Sequence, residues 1–479
     1  MSTKSKYYIT TPIYYVNDKP HIGHAYTTIA ADVLARWHRL KGDEVFFLTG
    51  TDEHGAKVEE SAKKAGKSPL ELCDENSEKF KKTFESLNLS FDYFIRTTDQ
   101  RHKEAVAKFM QKLWENGDIY EGTYEGLYCT GCENFLTEKE LVNGKCPIHL
   151  TVPEKITEKN YFFKLKKYLP QVKELIEKDE IKIRPEDKKK ETLGLFQQGL
   201  EDFSVSRERV KWGIPLPFDQ SQVTYVWVEA LQNYVSAIGY GDNEKEFKKW
   251  WIEADVLHLM AKDILKFHCI YWPALLLAAG EKPPKELFLH GFFTINGQKM
   301  SKSLGNVIDP NEMVKKYGAD ATRYLLLSQF PFGQDGDIKA EKFDEQYNAY
   351  LANGIGNLVS RVANLIEQGG GQLNKKLKTS DLIFKEVSRH LEKLEFTEAI
   401  AVFESEINNL DYKLQKEKPW EKAVNDENRL KFLQETAGTI LAIANAIEPF
   451  MPETGAAIQK KFLASKITKG QPLFPRMQK

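Results

Sequence analysis

YYITTPIYYVNDKPHIGHAYTTIAADVLARWHRL, residues 7–40, holds the change of period that decides the fold. Its first part, Tyr7 to Tyr15, is aromatic and β-branched and reads as a strand. Asn17-Asp18-Lys19-Pro20 is a turn-forming stretch. His21-Ile22-Gly23-His24 follows, and from Ala25 to Leu40 the apolar residues recur at helical spacing. A second short strand is expected at Glu44–Leu48, opening onto Thr49-Gly50-Thr51-Asp52-Glu53-His54-Gly55. Strands alternating with helices in this way predict a parallel α/β sheet.

Farther along, between about 117 and 224, turns, short aromatic strands and a cysteine cluster replace that alternation. A buried-strand pattern returns at Val223–Val228, and Val256–Met260 and Leu287–Leu289 read as further strands. The simplest account is a sheet in two halves, 1–116 and 225–295, split by an insertion at 117–224. A loop region at 296–344 leads into a helical bundle at 345–479. There Tyr347, Leu351, Ile355, Leu358, Val362, Leu365 and Ile366 form one apolar helix face ended by Gly369-Gly370-Gly371, and similar patterns run through 382–414 and 430–447.

Composition narrows the function classes. A chain of 479 residues is too long for one ordinary core. Hydrophobic residues at 41% and charged residues at 29% are ordinary for a globular protein. The net charge of -1 gives no global attraction for nucleic acid, so any RNA contact must use local basic patches and shape. The start has no apolar signal-peptide core, and no apolar run is long enough to span a membrane. Three of five cysteines cluster with a histidine, a metal-site pattern that suits a reducing cytoplasmic compartment better than a disulfide framework.

Two motifs carry the chemistry. His21-Ile22-Gly23-His24 opens a helix, and Lys299-Met300-Ser301-Lys302-Ser303 lies in a Gly-flanked loop. A carboxylate attacking the α-phosphate of ATP builds negative charge on phosphorus and on departing pyrophosphate, and preorganised donors aimed at that charge are usually the largest catalytic term. A helix N-terminus offers free N–H groups and a positive dipole end. His21 and His24 add imidazole donors, Gly23 leaves room for the nucleotide, and Lys299 and Lys302 supply point charges that close over phosphates. Either motif alone is also what chance or a solvated lysine-rich loop produces. Their order across an interrupted βα pattern is much harder to obtain by chance.

On these motifs the sequence resembles the class I aminoacyl-tRNA synthetases, and the segments 10–37, 47–55, 125–135, 223–237, 262–268 and 298–310 resemble the methionyl branch of that family. The resemblance implies a Rossmann-like catalytic domain followed by an all-α anticodon-binding domain. It implies a ligase that converts L-methionine and ATP, as its Mg²⁺ complex, to methionyl-adenylate and then charges tRNA(Met). The ATP set it implies is His21, Gly23, His24, Asp263, Lys299, Ser301 and Lys302, with His21, His24, Lys299 and Lys302 catalytic and His54 also lining the adenylate. Its methionine pocket falls on Ile13, Tyr15, Asp52, Trp227, Ala230, Leu231, Tyr234, Ile264 and His268, with Asp52 on the substrate ammonium. Aromatic rings suit a polarisable thioether, although buried strands hold aromatics for packing alone. Two departures stand out: Ala261 where the family usually has Gly, and Glu229 where it commonly has Asp.

Cys129-Thr130-Gly131-Cys132 and Cys146-Pro147-Ile148-His149 form CxxC and CxxH knuckles, whose three thiolates and one imidazole predict a closed, structural Zn²⁺ site. The match is to the one-knuckle form of the family. The insertion is too short for the editing domain of the leucyl, isoleucyl and valyl enzymes. Asn357 and Arg361, four apart on one helix face, and Pro419-Trp420 resemble the family's anticodon contacts; an exposed pair and a bundle-capping tryptophan are the alternative. An appended dimerisation module has no counterpart after Pro472–Arg476, so a monomer is expected. A catalytically silent relative and a nucleotidylyltransferase are the rival functions. Intact motifs argue against the first, and the helical bundle against the second.

Overall fold

The computed structural model describes residues 4–477 apart from 130–133, 137, 139–140, 148–149, 301–304 and 374–376, and apart from the side chains of Tyr124, Asn134, Phe135 and Lys299. The chain forms two compact units that interleave in sequence: residues 1–20, 42–84 and 90–290, and residues 21–41, 85–89 and 291–479.

The first unit is built on a six-stranded sheet of β1 (Lys6–Tyr15), β2 (Glu44–Asp52), β3 (Tyr93–Arg96), β4 (Lys182–Arg184), β5 (Asp255–Ala261) and β6 (Glu286–His290), in the order β3-β2-β1-β5-β6-β4. Every pairing is parallel. This Rossmann-like order reverses between β1 and β5, and in open α/β sheets ligands bind outside the carboxyl ends of the strands at such a switch point. The β1–β2 register shifts between Thr10 and Ile13, around Pro12, which has no N–H to give the ladder. The shift re-aims the end of β1, where Ile13 and Tyr15 lie. Gly50 of β2 pairs with Ile95, and a Cβ there would meet the Ile95 carbonyl oxygen at 2.0 Å, so this close strand approach requires glycine.

Two expectations are corrected here. Val223–Val228 is not a strand: only Val223–Thr224 is extended, and Val226–Leu231 is a helix. A short apolar run buried all round has no period that separates the two structures. The stretch 117–224 is also more than an insertion. It holds an antiparallel sheet of segments Ile119–Cys129, Asn134–Leu136, Glu154–Phe163 and Phe203–Ser204, but it also returns Lys182–Arg184 to the edge of the parallel sheet.

The second unit joins helix Ile22–Lys41 to helices Pro310–Tyr317 and Ala319–Leu327, a three-stranded sheet, and the helices Asn357–Gln368, Leu382–Leu391, Phe396–Glu417, Glu427–Ile447 and Pro452–Phe462. The long apolar face expected from Tyr347 is broken at Gly354, whose ψ of -109 is non-helical. Tyr26 packs against Phe293, Phe330 and Phe332 at centroid distances of 5.4, 5.7 and 5.2 Å. Beside this cluster Arg323 is fully buried. Its NH2 lies 2.7 Å from Asp32, and it donates to the carbonyls of Pro449 and Phe450 at 2.9 and 2.7 Å. One buried guanidinium thus ties three segments together, with Asp32 as its ion-pair partner among the described residues. Removing that partner strands a charge in the interior. Asp32→Ala is therefore expected to cost about 3–5 kcal/mol, read from the urea-unfolding midpoint; a shift equivalent to under about 1 kcal/mol, the scale of exposed pairs, would contradict the buried pairing.

Candidate active site

The methionine-pocket residues implied by the resemblance gather at the carboxyl ends of β1, β2 and β5. Ile13 and Tyr15 end β1, and buried Asp52 ends β2. Trp227, Ala230 and Leu231 lie on helix Val226–Leu231, Tyr234 on the short helix Asn233–Ser236 after it, and Ile264 and His268 on the segment that leaves β5. Tyr15 meets Trp227 edge to face at 6.2 Å, and Trp227 stacks on Phe267 at 4.3 Å with the planes 9° apart. Phe267 was not among the residues singled out from sequence, although it sits directly before His268.

The polar atoms behind these rings satisfy one another. The Tyr234 hydroxyl lies 2.9 Å from His268 Nε2, and His268 Nδ1 lies 3.0 Å from the Ile264 carbonyl oxygen. A carbonyl only accepts, so Nδ1 carries the hydrogen and Nε2 accepts from the phenol. Burial pushes the His268 pKa down to about 4 and raises that of Tyr234, so the pair is neutral. Tyr234 in turn stacks on His258 at 4.1 Å, and its carbonyl accepts from Tyr8 Oη at 2.7 Å. The result is an aromatic wall backed by a neutral phenol–imidazole pair.

Asp52-Glu53-His54-Gly55 is clamped from several sides. Buried Glu53 receives Arg96 Nε at 2.7 Å and NH2 at 2.9 Å, Thr51 Oγ1 at 2.7 Å, and the Thr98 hydroxyl. Its backbone carbonyl accepts from Trp212 Nε1 at 2.6 Å, and Gly55 N–H donates to the Trp212 carbonyl at 3.0 Å. Gly55 has φ of 101, open to glycine and strained for other residues. Ala261 is extended, and Asp263 beyond it is exposed.

In the second unit the two phosphate motifs come together. A Cβ on Gly23 would meet His21 Cε1 at 2.8 Å and Met300 Cε at 3.5 Å, so Met300 of the lysine-rich loop lies over the glycine. The expectation of free N–H groups at this helix start is corrected. His21 N–H donates to His24 Nδ1, Ile22 N–H to the Ile308 carbonyl, and Gly23 N–H to His21 Nδ1, each at 3.1 Å. His24 N–H donates to the His21 carbonyl at 3.0 Å. Both Nδ1 atoms are acceptors, so each neutral imidazole carries its hydrogen on Nε2. The rings stack at 3.7 Å. Burial lowers the His21 pKa to about 4 and that of His24 well below its ordinary value, which keeps both neutral. The hydrogen of each ring therefore sits on Nε2, and the backbone N–H groups of the helix start are taken. Lys299 is in a short hairpin opposite Thr294, while Ser301 and Lys302 lie outside the described residues.

Of the expected zinc ligands, Cys129 and Cys146 are buried and in no disulfide, and Cys132 and His149 lie outside the described residues. Among the described residues no three His, Cys, Asp or Glu side chains are placed so as to hold a metal ion. In the helical bundle, the Arg361 guanidinium lies 5.5 Å from the Trp420 ring centroid and pairs with Asp411 at 2.6 Å. Trp420 is 43% exposed, and Asn357 is half-buried one turn before Arg361. Arg429, missed from sequence, pins this corner: it donates to the carbonyls of Pro419, Val424 and Leu365 at 2.9, 3.1 and 2.8 Å. A cavity of about 700 Å³ in the same unit, lined by Leu441, Asn445, Gln459 and Phe462, contains none of the expected site residues. Among the described residues no helix is long and apolar enough to cross a membrane.

A family model described as tRNA synthetases class I (M) matches residues 7–152 and 139–363. The methionine–tRNA ligase of Caldanaerobacter subterraneus subsp. tengcongensis is 44% identical over 94% of this chain and 73% of its own. That of Clostridium acetobutylicum is 41% identical over 100% of this chain and 79% of its own. Mycobacterium tuberculosis methionyl-tRNA synthetase in complex with methionyl-adenylate superposes with a TM-score of 0.92 at 34% identity, covering 98% of this chain and 100% of that one.

The neutral histidines make the fold acid-sensitive. Folded His21 and His268 take up protons only near pH 4, whereas unfolded imidazoles do so at about 6.5. Between those values the unfolded chain binds more protons. The stability gained from neutral burial is thus complete above pH of about 6.5 and declines as pH falls toward about 4. The urea midpoint is expected to fall between pH 7 and pH 4.5, and His268→Gln to show a shallower decline; an unchanged slope in the variant would mean that His268 is not buried neutral.

Proposed function

Because the chain belongs to the class I tRNA synthetases of the methionine type, we propose a division of labour among its residues for the activity of that family, the activation of methionine with ATP and its transfer to tRNA. Ile13, Tyr15, Trp227, Ala230, Leu231, Tyr234, Ile264 and His268 take the methionine side chain, and Asp52 takes its ammonium group. The observation that supports this best is the ring set Tyr15, Trp227 and Phe267 backed by the neutral Tyr234–His268 pair. A thioether gains from aromatic contacts and gives a charged wall nothing to pair with. His21 and His24 present Nε2–H donors to the charge that grows on the α-phosphate, Lys299 and Lys302 close over the polyphosphate of Mg²⁺–ATP, and Gly23, Asp263 and Ser301 complete the nucleotide contacts. Preorganised donors act mainly in the transition state.

ATP–pyrophosphate exchange across a panel of amino acids tests the reading. Methionine alone should support fast exchange, and faster exchange with leucine, isoleucine, valine or cysteine, or none with methionine, overturns it.

The same proposal assigns Zn²⁺ to Cys129, Cys132, Cys146 and His149. Three thiolates and an imidazole suit zinc, and the burial of the two described thiols fits ligands better than surface cysteines. With four protein ligands the ion would be structural, holding the insertion together. A monomer in the cytosol completes the reading. One zinc per chain is expected by elemental analysis, with Cys129→Ser losing it and melting at lower temperature; full metal content in that variant would remove Cys129 from the ligand set.

For tRNA(Met), Trp420 stacks on an anticodon base while Asn357 and Arg361 contact base edges, on a corner anchored by Arg429 through Pro419. Stacking one base on an aromatic is worth about 1–3 kcal/mol. Trp420→Ala should therefore lower kcat/KM for tRNA by about tenfold to a hundredfold and leave pyrophosphate exchange and the melting temperature unchanged. An equal loss in both activities would make Trp420 a packing residue.

A further inference from the structure

A buried cluster in the first unit stands beside the methionine-pocket residues, and of its members only His54, expected to line the adenylate, has been given a role. Glu229, fully buried between Trp227 and Ala230 on their helix, receives one imidazole on each carboxylate oxygen. His54 Nδ1 lies 2.9 Å from Oε1, and His102 Nε2 lies 3.0 Å from Oε2. His102, on helix Gln100–Glu115, sets its other nitrogen, Nδ1, 2.8 Å from Ser236 Oγ. No lysine or arginine joins the cluster among the described residues. Three elements far apart in sequence therefore meet on one carboxylate.

A carboxylate buried without a cationic side chain needs N–H donors on its oxygens. Burial raises the Glu229 pKa, but the imidazole N–H groups that His54 and His102 set on its two oxygens outweigh it and hold the carboxyl below its ordinary value. An ionised carboxylate only accepts, so His54 bears its hydrogen on Nδ1. Among the described residues nothing hydrogen-bonds His54 Nε2. The His54 backbone is equally constrained, lying between Glu53, clamped by Arg96, and Gly55, bonded to Trp212. The imidazole is held at one nitrogen and left with a lone pair at the other.

We propose that Glu229 is a positioning residue for His54, fixing the Nδ1–H tautomer so that Nε2 accepts a hydrogen bond from a donor group of the bound aminoacyl-adenylate. His102 holds the second oxygen and stops the carboxylate from turning away. The length of the glutamate is part of the device. An aspartate here would withdraw the carboxylate by about 1.5 Å, one C–C bond, and could not keep both imidazoles at hydrogen-bond distance. The inference rests on the proposed methionine activation for the identity of the ligand, though not for the tautomer.

The test uses the whole chain labelled with ¹⁵N-histidine, with the His54 signals assigned by difference from His54→Asn. Two-bond ¹H–¹⁵N spectra at pH 7.5 should show His54 protonated on Nδ1; an Nε2–H pattern in the wild-type chain overturns the proposal without any variant. Glu229→Gln, whose amide also donates, should release His54 to the other tautomer or a mixture. Its KM for ATP or methionine should rise so that kcat/KM in pyrophosphate exchange falls roughly tenfold, the worth of one hydrogen bond to substrate. Retention of the wild-type tautomer in E229Q, or an unchanged KM beside an altered tautomer, overturns it. His102→Gln keeps a donor for Oε2 and should keep the His54 tautomer; its loss there would assign the orienting role to His102. Absence of methionine-dependent exchange in the wild-type chain would instead defeat the functional reading and leave the tautomer measurement standing.

Discussion

Thr10 and His258 face each other across neighbouring parallel strands although 248 residues separate them, and Thr10 Oγ1 lies 2.8 Å from His258 Nδ1. Parallel neighbours require a crossover, and here the crossover is most of the first unit. Everything between β1 and β5 must leave the sheet and come back in register. The pocket residues depend on that return. β1 supplies Ile13 and Tyr15, the chain leaving β5 supplies Ile264 and His268, and His258 itself carries the ring on which Tyr234 stacks. Without this one pairing the aromatic wall has no common support.

A second constraint is the handling of buried charge. The buried carboxylates Asp32, Glu53 and Glu229 each meet two or more donors: Arg323 and Arg36, Arg96 with Thr51, and two imidazoles. The buried histidines take the opposite course. His21, His24, His258 and His268 are pushed toward the neutral form by burial, and each has at least one ring nitrogen held by a neighbour. Such rings act as directed donors or acceptors and bring no charge into the core. A net charge of -1 is compatible with phosphate chemistry under these conditions, because directed N–H groups and a few local lysines do what a global positive field would otherwise do.

Legibility from sequence followed the range of the interaction. The β1 strand and the helix after it were readable because alternation and helical spacing are local signals, and the helix ran from Ile22 to Lys41. Val223–Val228 was misread because burial on all sides erases the period. The helix start at His21 was read as a set of free N–H groups, yet the imidazoles fold back onto them and the Ile308 carbonyl takes another. Residue types predicted a donor site there, but only the folded geometry decided which atoms donate.

By itself the sequence determined the class of fold, the helical bundle and the family, and it named the candidate site residues, since each rests on residue type within short, fixed spacing. Tertiary structure alone decided the partners. His54 and Glu229 are 175 residues apart, His102 and Glu229 127, and Arg429 reaches 64 residues back to the Leu365 carbonyl. No periodicity encodes such pairs. They arise where separately specified elements pack, and a buried hydrogen bond is set by where two atoms arrive in space, whatever the length of chain between them.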